Sequence, residues 1–226
     1  TVRRRIELGT TAFVEKYKKA NNQNDNLPGP NTLKQNKLLS KVEYDENYIN
    51  YHYFYLQGLE WKITYQNVLT ANDQTWFNSI QAVGKVFFRP AFNSNIAMRL
   101  KLGIASNNDS PFAPFVVDSH TNLRGVGNRI DRGTAQAVFN VEYRHTVWHQ
   151  QKWGDQIIGF TDVGTWRNPG GGIDDLYDSD NFRQFVGGGF RLIYQKVFGA
   201  ILRVDYGIDI YNRQDKGFVI GLGQYF

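Results

Sequence analysis

The sequence predicts an all-β fold: a transmembrane antiparallel up-and-down β-barrel of about ten strands, with long extracellular loops and short periplasmic turns. Three observations predict it. Apolar and polar residues alternate over stretches of about nine to eleven residues or more, the length a tilted strand needs to cross a hydrocarbon layer, against roughly five or six in ordinary sheets. Connections between these stretches alternate between long and short along the chain. The polar face is dense in charge, with Arg3, Arg5, Glu7, Glu60, Lys62, Lys85, Arg99, Lys101, Glu142, Arg144, Arg191, Arg203, Asp205 and Asp209, while the opposite face is Leu, Ile, Val, Tyr, Trp and Phe. A charged lumen with lipid outside accounts for that division. A soluble lipocalin-like barrel, which shares the same period, is the alternative.

Composition agrees with many strands and turns. The chain has 226 residues, 22 Gly, 15% aromatics, 6 Pro and no Cys. It reads as one outer-membrane β-barrel domain over residues 1–226. No apolar run reaches the roughly 18 residues of a membrane-crossing helix, and the start, Thr1-Val2-Arg3-Arg4-Arg5, lacks the apolar core of a signal peptide. Either such a signal has been removed or the chain begins partway through a longer protein. Without cysteine there is neither a disulfide framework nor a thiolate metal site. The net charge of +5 is spread through nearly every strand instead of forming one stripe, which argues against a nucleic-acid partner.

Taken in order, Ile6, Leu8, Thr10, Ala12 and Val14 alternate with Arg5, Glu7, Gly9 and Thr11 as a first strand, and a long polar loop follows over 16–36. The second strand covers 38–55, irregular near Asp45-Glu46-Asn47, and a tight turn is expected at Gln57-Gly58. Leu59, Trp61, Ile63 and Tyr65 mark the third strand; Trp76, Ile80, Val86 and Phe88 the fourth; Ile96, Met98, Leu100, Leu102 and Ile104 the fifth. After the longest loop, 106–133, come Phe139, Val141 and Tyr143 in the sixth and a seventh over 156–166. A loop over 167–180 leads to the eighth (Val186, Phe190, Leu192, Tyr194), the ninth (Leu202, Val204, Tyr206, Ile208, Ile210) and a tenth over 218–226. No helix of any length is expected.

Residues 122–226 carry an ordered set of short motifs. Leu123-Arg124-Gly125-Val126 lies in the longest loop, Glu142 points inward on the next strand, and Phe160-Thr161-Asp162-Val163-Gly164 follows on the strand after it. Then come Gly187-Gly188-Gly189-Phe190-Arg191, a turn at Gly199, Leu202-Arg203-Val204-Asp205-Tyr206, and the ending Gly223-Gln224-Tyr225-Phe226. In this order and spacing they resemble the BamA/TamA-type outer-membrane assembly factor superfamily, the bacterial surface-antigen barrel domain, as a short or truncated member. The aromatic fourth position of the family's loop motif is absent here. The resemblance implies a barrel integral to the bacterial outer membrane, with Leu123, Arg124 and Gly125 as a loop folded into the lumen. It also implies Phe160 and Gly164 as a strand motif and Gly223, Tyr225 and Phe226 as a barrel-delivery signal. The implied function is insertion of polypeptides into that membrane or their transport across it. The alternatives are a membrane anchor or structural subunit of an envelope complex, and a small-solute pore. Implied partners are outer-membrane lipid and lipopolysaccharide, client polypeptides or envelope-complex subunits, with no catalysis, cofactor or metal.

One pairing follows from the strands themselves. Glu142 and Asp162 lie on either side of a turn near Gln151, so both carboxylates face inward on adjacent strands and repel. A cation between them is needed, and Arg124, on the loop just before this pair, is the natural donor. Elsewhere the histidines His52, His120, His145 and His149 lack metal-ligand spacing, Asp118-Ser119-His120 reads as a polar loop more than an acid–base pair, and Gly170-Gly171-Gly172 lacks the helix of a phosphate cradle.

Overall fold

Period-two alternation becomes strand pairing along nearly the whole chain. A computed structural model of the protein describes residues 3–18, 32–70, 75–106, 113–119, 121–127, 131–197 and 199–226. Its strands are β1 (Arg3–Lys18), β2 (Thr32–Asn47), β3 (Asn50–Tyr51), β4 (Leu56–Thr70), β5 (Thr75–Phe88), β6 (Ser94–Ala105) and β7 (Phe115–Val117). They continue with β8 (Asp131–Gly133), β9 (Ala135–His149), β10 (Trp153–Arg167), β11 (Phe182–Tyr194), β12 (Ile201–Asp209) and β13 (Lys216–Leu222). All pairings are antiparallel, in the order β1-β2-β4-β5-β6-β9-β10-β11-β12-β13, with β3 on β4 and β7-β8 as a separate two-stranded sheet. Consecutive long strands are neighbours, so the register is set mostly by local turns; a bulge at Asp155/Gln156 is the irregularity between β9 and β10.

The two faces have inverted polarity. The concave face buries Arg124, Glu142, Asp162, Arg191 and Asp205, whereas Leu, Ile, Val, Phe and Tyr stand exposed on the convex face. Two small apolar clusters complete the interior. Leu123, Val126 and Val117 pack on Val138, Trp166 and Phe185, and Ile49, Phe87 and Ala97 pack with Leu56 and Phe226.

The expected closed transmembrane barrel is corrected by the topology. The sheet is open, with β1 at one end of the path, β13 at the other, and no pairing between them among the described residues. Their lengths do not match: β1 has 16 residues and β13 has 7. The chain leaves β13 after Leu222 through Gly223, whose φ of 85° is left-handed, and buries Tyr225 on the concave face. Residues 223–226 therefore do not extend the last strand, as the expected tenth strand over 218–226 required. Exposure records both open edges. Apolar residues on the convex face of inner strands are about two-fifths exposed, such as Ile63 at 37% and Val86 at 46%. On β1, Ile6 and Leu8 reach 69% and 74%, and on β13, Phe218 and Leu222 reach 69% and 83%.

An integral outer-membrane location falls with closure, because unpaired backbone groups on an open sheet edge are not tolerated in hydrocarbon. The small-solute pore falls too, since an open sheet encloses no lumen. No helix among the described residues is long and apolar enough to cross a membrane. Smaller corrections follow. Gln57-Gly58 lies inside β4, the 106–133 loop contains the β7-β8 hairpin, and 3-10 turns occupy Ile173–Tyr177 and Ser179–Asn181. The second strand stops at Asn47. Residues 19–31 of the first loop and His120 lie outside the described residues.

Candidate functional site

The loop ahead of β9 is shaped by its own polar residues before it meets the sheet. Asp118 accepts hydrogen bonds through Oδ1 from the Thr121 N–H at 3.0 Å and from Asn122 Nδ2 at 3.3 Å, and its carbonyl accepts from the Leu123 N–H at 2.8 Å. This turn directs Leu123-Arg124-Gly125 onto the concave face, where glycines on the strands make room. A Cβ on Gly164 would lie 2.9 Å from Leu123 Cδ1, and one on Gly207 would lie 2.4 Å from the Arg124 carbonyl oxygen. Gly125 itself has φ +102° and lies against the Gly207 backbone, so a side chain is excluded twice, by conformation and by space.

Arg124 is fully buried between Asp162 and Glu142. Its Nε donates to Asp162 Oδ2 at 2.8 Å, its Nη2 to Oδ1 at 2.9 Å, and its backbone N–H to Oδ2 at 2.9 Å. Nη1 donates to Glu142 Oε2 and lies 3.8 Å from Asp205 Oδ2. The guanidinium is sandwiched by two rings, 3.7 Å from the Phe160 centroid and 4.4 Å from that of Tyr225. The two carboxylates are diagonal, not opposed as the sequence suggested: Phe160 faces Glu142, and Asp162 faces Asn140.

Around this centre lies a wider network. Glu142 Oε1 accepts from Arg144 Nε at 2.6 Å and its Oε2 from Arg191 Nη2 at 3.4 Å, while Arg191 Nη2 also reaches Asp205 Oδ2 at 3.1 Å. Asn140 Nδ2 donates to Asp162 Oδ1 and to the Asn122 carbonyl, and its Oδ1 accepts from Arg99. Tyr225 donates its hydroxyl to the Ser119 carbonyl at 3.1 Å and has Arg99 and Arg203 over its ring at 5.4 and 4.8 Å.

Burial and charge act against each other here. Burial would raise the Glu142 carboxyl, but Arg144, Arg124 and Arg191 overcome it and hold the group at about 2. Burial pushes the Arg144, Arg99 and Arg203 guanidiniums down, and it raises the Tyr225 phenol, helped by Asp162. Lys101, which donates to Asn122 Oδ1 at 2.8 Å, is lowered to about 8 by burial and by Arg99. Arg99, Arg124, Arg144, Arg191 and Arg203 are all at least nine-tenths buried around three buried side-chain carboxylates, Glu142, Asp162 and Asp205, and Arg144 also reaches a backbone oxygen of Phe226 at 3.4 Å.

At one end of the concave face, the segment between β2 and β4 folds across the mouth. Gln156 Nε2 donates to the Phe54 carbonyl at 2.6 Å, and Asn95 bonds both backbone groups of Leu56. Gly154 lies under Phe54, where a Cβ would come within 2.2 Å of the ring. Beneath this strap is a cavity of about 250 Å³.

The structure thus brings together Leu123, Arg124, Gly125, Glu142, Phe160, Asp162, Gly164 and Tyr225. Phe226 packs nearby, on the cluster of Ile49, Phe87 and Ala97. Gly223 serves as the turn that sends Tyr225 inward. Arg99 was expected on the polar, inward face; Asn140 and the Phe54 strap were not singled out from sequence, although the inward period from Glu142 marks Asn140, while the strap has no periodic signal. The histidines stay apart. His52 stacks on Tyr55, His149 meets Phe54, and among the described residues no group of three or more His, Cys, Asp or Glu is arranged to hold a metal ion.

The chain matches no protein-family model, and no curated protein matches it. With the open sheet, this overturns the resemblance to BamA/TamA-type assembly factors. The expected insertion or transport function, the alternative of an envelope-complex anchor, and the lipid, lipopolysaccharide, client and envelope-subunit partners go with it. The motif residues have a local physical use instead: they dock one loop on a curled sheet through a buried ion network.

Proposed function

We propose that the protein is a non-catalytic β-scaffold that completes its open sheet by pairing β1 with β1 of a second copy. The observation that carries this reading is the edge itself. β1 is sixteen residues long, its partner β2 covers one side, and its outward residues are exposed on both faces. Such an edge leaves a row of unpaired backbone donors and acceptors. The absence of catalysis rests on the site: its charged groups are solvent-excluded and already bonded to one another.

The strand is self-complementary when paired antiparallel. An antiparallel pair centred on Thr10 sets Arg5 against Glu15 of the other copy at both ends, with Ile6 against Val14 and Leu8 against Ala12 on the apolar face, and its one like-charge pair is Arg4 with Lys16 at each end. A parallel in-register pair would oppose Arg3 to Arg3, Arg5 to Arg5 and Glu7 to Glu7, which is repulsive. Charge therefore favours the antiparallel pair, and because β2 already covers the other side of β1, the pairing closes at two copies. It also joins two exposed apolar faces into one continuous surface.

Light scattering on the purified chain should give a dimer mass. Glu15→Lys should shift it to monomer, and adding Arg5→Glu to that variant should restore the dimer. A monomer at every concentration, open-ended polymers, or recovery of the wild-type chain only with lipid vesicles would each overturn the proposal.

A further inference from the structure

We propose that the groove between the 3-10 turns ahead of β11 and the turn after β12 binds a neutral pyranose sugar, which stacks on Tyr177 and Tyr211. The groove has a volume of about 460 Å³, within the range of small-molecule sites. Its aromatic wall is Tyr177, Phe182 and Tyr211, with the last two rings set edge to face at 5.9 Å between centroids. Tyr177 is 89% exposed and Tyr211 72%, so the fold gains little burial from either. Two tyrosine rings held in water on either side of one groove offer stacking area to a ligand with an apolar face.

The polar wall is held in place from behind. Asp209 is 2% exposed, and its Oδ1 accepts from the backbone N–H groups of Tyr211 at 2.8 Å and Asn212 at 3.1 Å, which fixes both the carboxylate and the turn that carries Tyr211. Its Oδ2 has no hydrogen-bond partner among the described residues. Arg183 donates through Nη1 to the carbonyls of Asp180 and Phe182 at 2.9 and 2.8 Å, and its Nη2 has no hydrogen-bond partner among the described residues either. Asn212 and Asp215 also line the groove and bond each other at 3.1 Å, and Ser179 adds a hydroxyl.

This mixture of charge selects the class of ligand. A cation is opposed by Arg183 and an anion by Asp209 and Asp215. A wholly apolar ligand would cover Asp209 Oδ2 and Arg183 Nη2 and leave both unbonded, which costs free energy. A sugar hydroxyl donates and accepts at once, so it serves the carboxylate and the guanidinium together. The C–H face of a pyranose ring is apolar and flat enough to lie on a tyrosine. A neutral sugar therefore matches both walls.

The test titrates the full chain with methyl glucoside, methyl galactoside, methyl mannoside and N-acetylglucosamine, with choline and acetate as charged controls, by ligand-observed NMR. At least one sugar should bind saturably and more tightly than either charged probe. Tyr177→Ala and Tyr211→Ala, both at exposed positions, should each weaken that binding roughly three- to tenfold, the span of one aromatic contact. Asp209→Asn keeps an oxygen for the two backbone N–H groups, loses the free acceptor, and should weaken binding about tenfold or more. No saturable binding of any of the four sugars, sugar binding unchanged in both tyrosine variants, or choline or acetate bound at least as tightly would overturn the proposal. None of these results depends on whether the chain dimerises through β1.

Discussion

Replacing Arg124 by Met keeps most of the side-chain volume between Phe160 and Tyr225 and removes the charge. Asp162 then loses its bonds from Nε and Nη2 at 2.8 and 2.9 Å and keeps two, from the Arg124 backbone N–H and from Asn140 Nδ2. Glu142 loses one partner of three and keeps Arg144 at 2.6 Å and Arg191 at 3.4 Å. The cost therefore concentrates at Asp162. Deleting one member of a buried ion network costs about 3–5 kcal/mol, because a desolvated charge is left behind. Urea unfolding measures it, and Trp166, buried against Leu123, reports the loop by fluorescence. Asp162→Asn in the Arg124→Met background should recover roughly 1.5–3 kcal/mol through removal of the orphaned charge. A loss below about 1 kcal/mol for Arg124→Met, or strict additivity of the two changes, would refute this account.

Three further outcomes follow from particular contacts. Gly207→Ala should destabilise by about 1–3 kcal/mol, read by the same unfolding curve, because its Cβ meets the Arg124 carbonyl oxygen at 2.4 Å. Glu142 sits near 2 in the folded chain against 4.5 for the free group, so its contribution is complete above 4.5 and is lost as pH falls from 4.5 toward 2. Glu142→Gln should flatten that limb of the stability–pH curve. Lys101 is shifted the other way for a base: between about 8 and 10.5 the unfolded chain holds more protons, so stability should rise with pH across that window. Lys101→Met should remove the rise.

The strands were legible because alternation is local, and so was one long-range feature. Glu142 and Asp162 face inward on strands joined by a short turn, and charge demands a cation near them; Arg124 supplies it. What lies beyond pairwise alternation was not legible. Nothing periodic marks 48–55 as a strap, because its placement depends on Gln156 of β10 binding the Phe54 carbonyl and on Asn95 of β6 holding Leu56 where the strap ends. Nor does the pattern separate Leu222 from Tyr225. Alternation runs through both, and only the left-handed turn at Gly223 ends the strand.

Closure is a different kind of property, and the charges show why it fails on one side. β6 and β12 are four strand steps apart along the sheet, about 19 Å if flat at 4.8 Å per step. Yet Arg99 from β6 and Arg203 from β12 both reach the ring of Tyr225, and Arg124 ties β9, β10 and β12 through Glu142, Asp162 and Asp205. Shared counter-ions at a common centre favour curling over that half. The other half satisfies its charges between neighbouring strands: Arg3 with Asp45, Arg5 and Lys41 with Glu43, and Lys62 with Glu43 from β4. These ion pairs run along the sheet and reach toward no common centre. Among the described residues, no ion pair on β1 calls for a partner from β13. The same alternation of charge and apolar residues thus curls one half and leaves the other open, because what differs is which strand supplies the counter-ion.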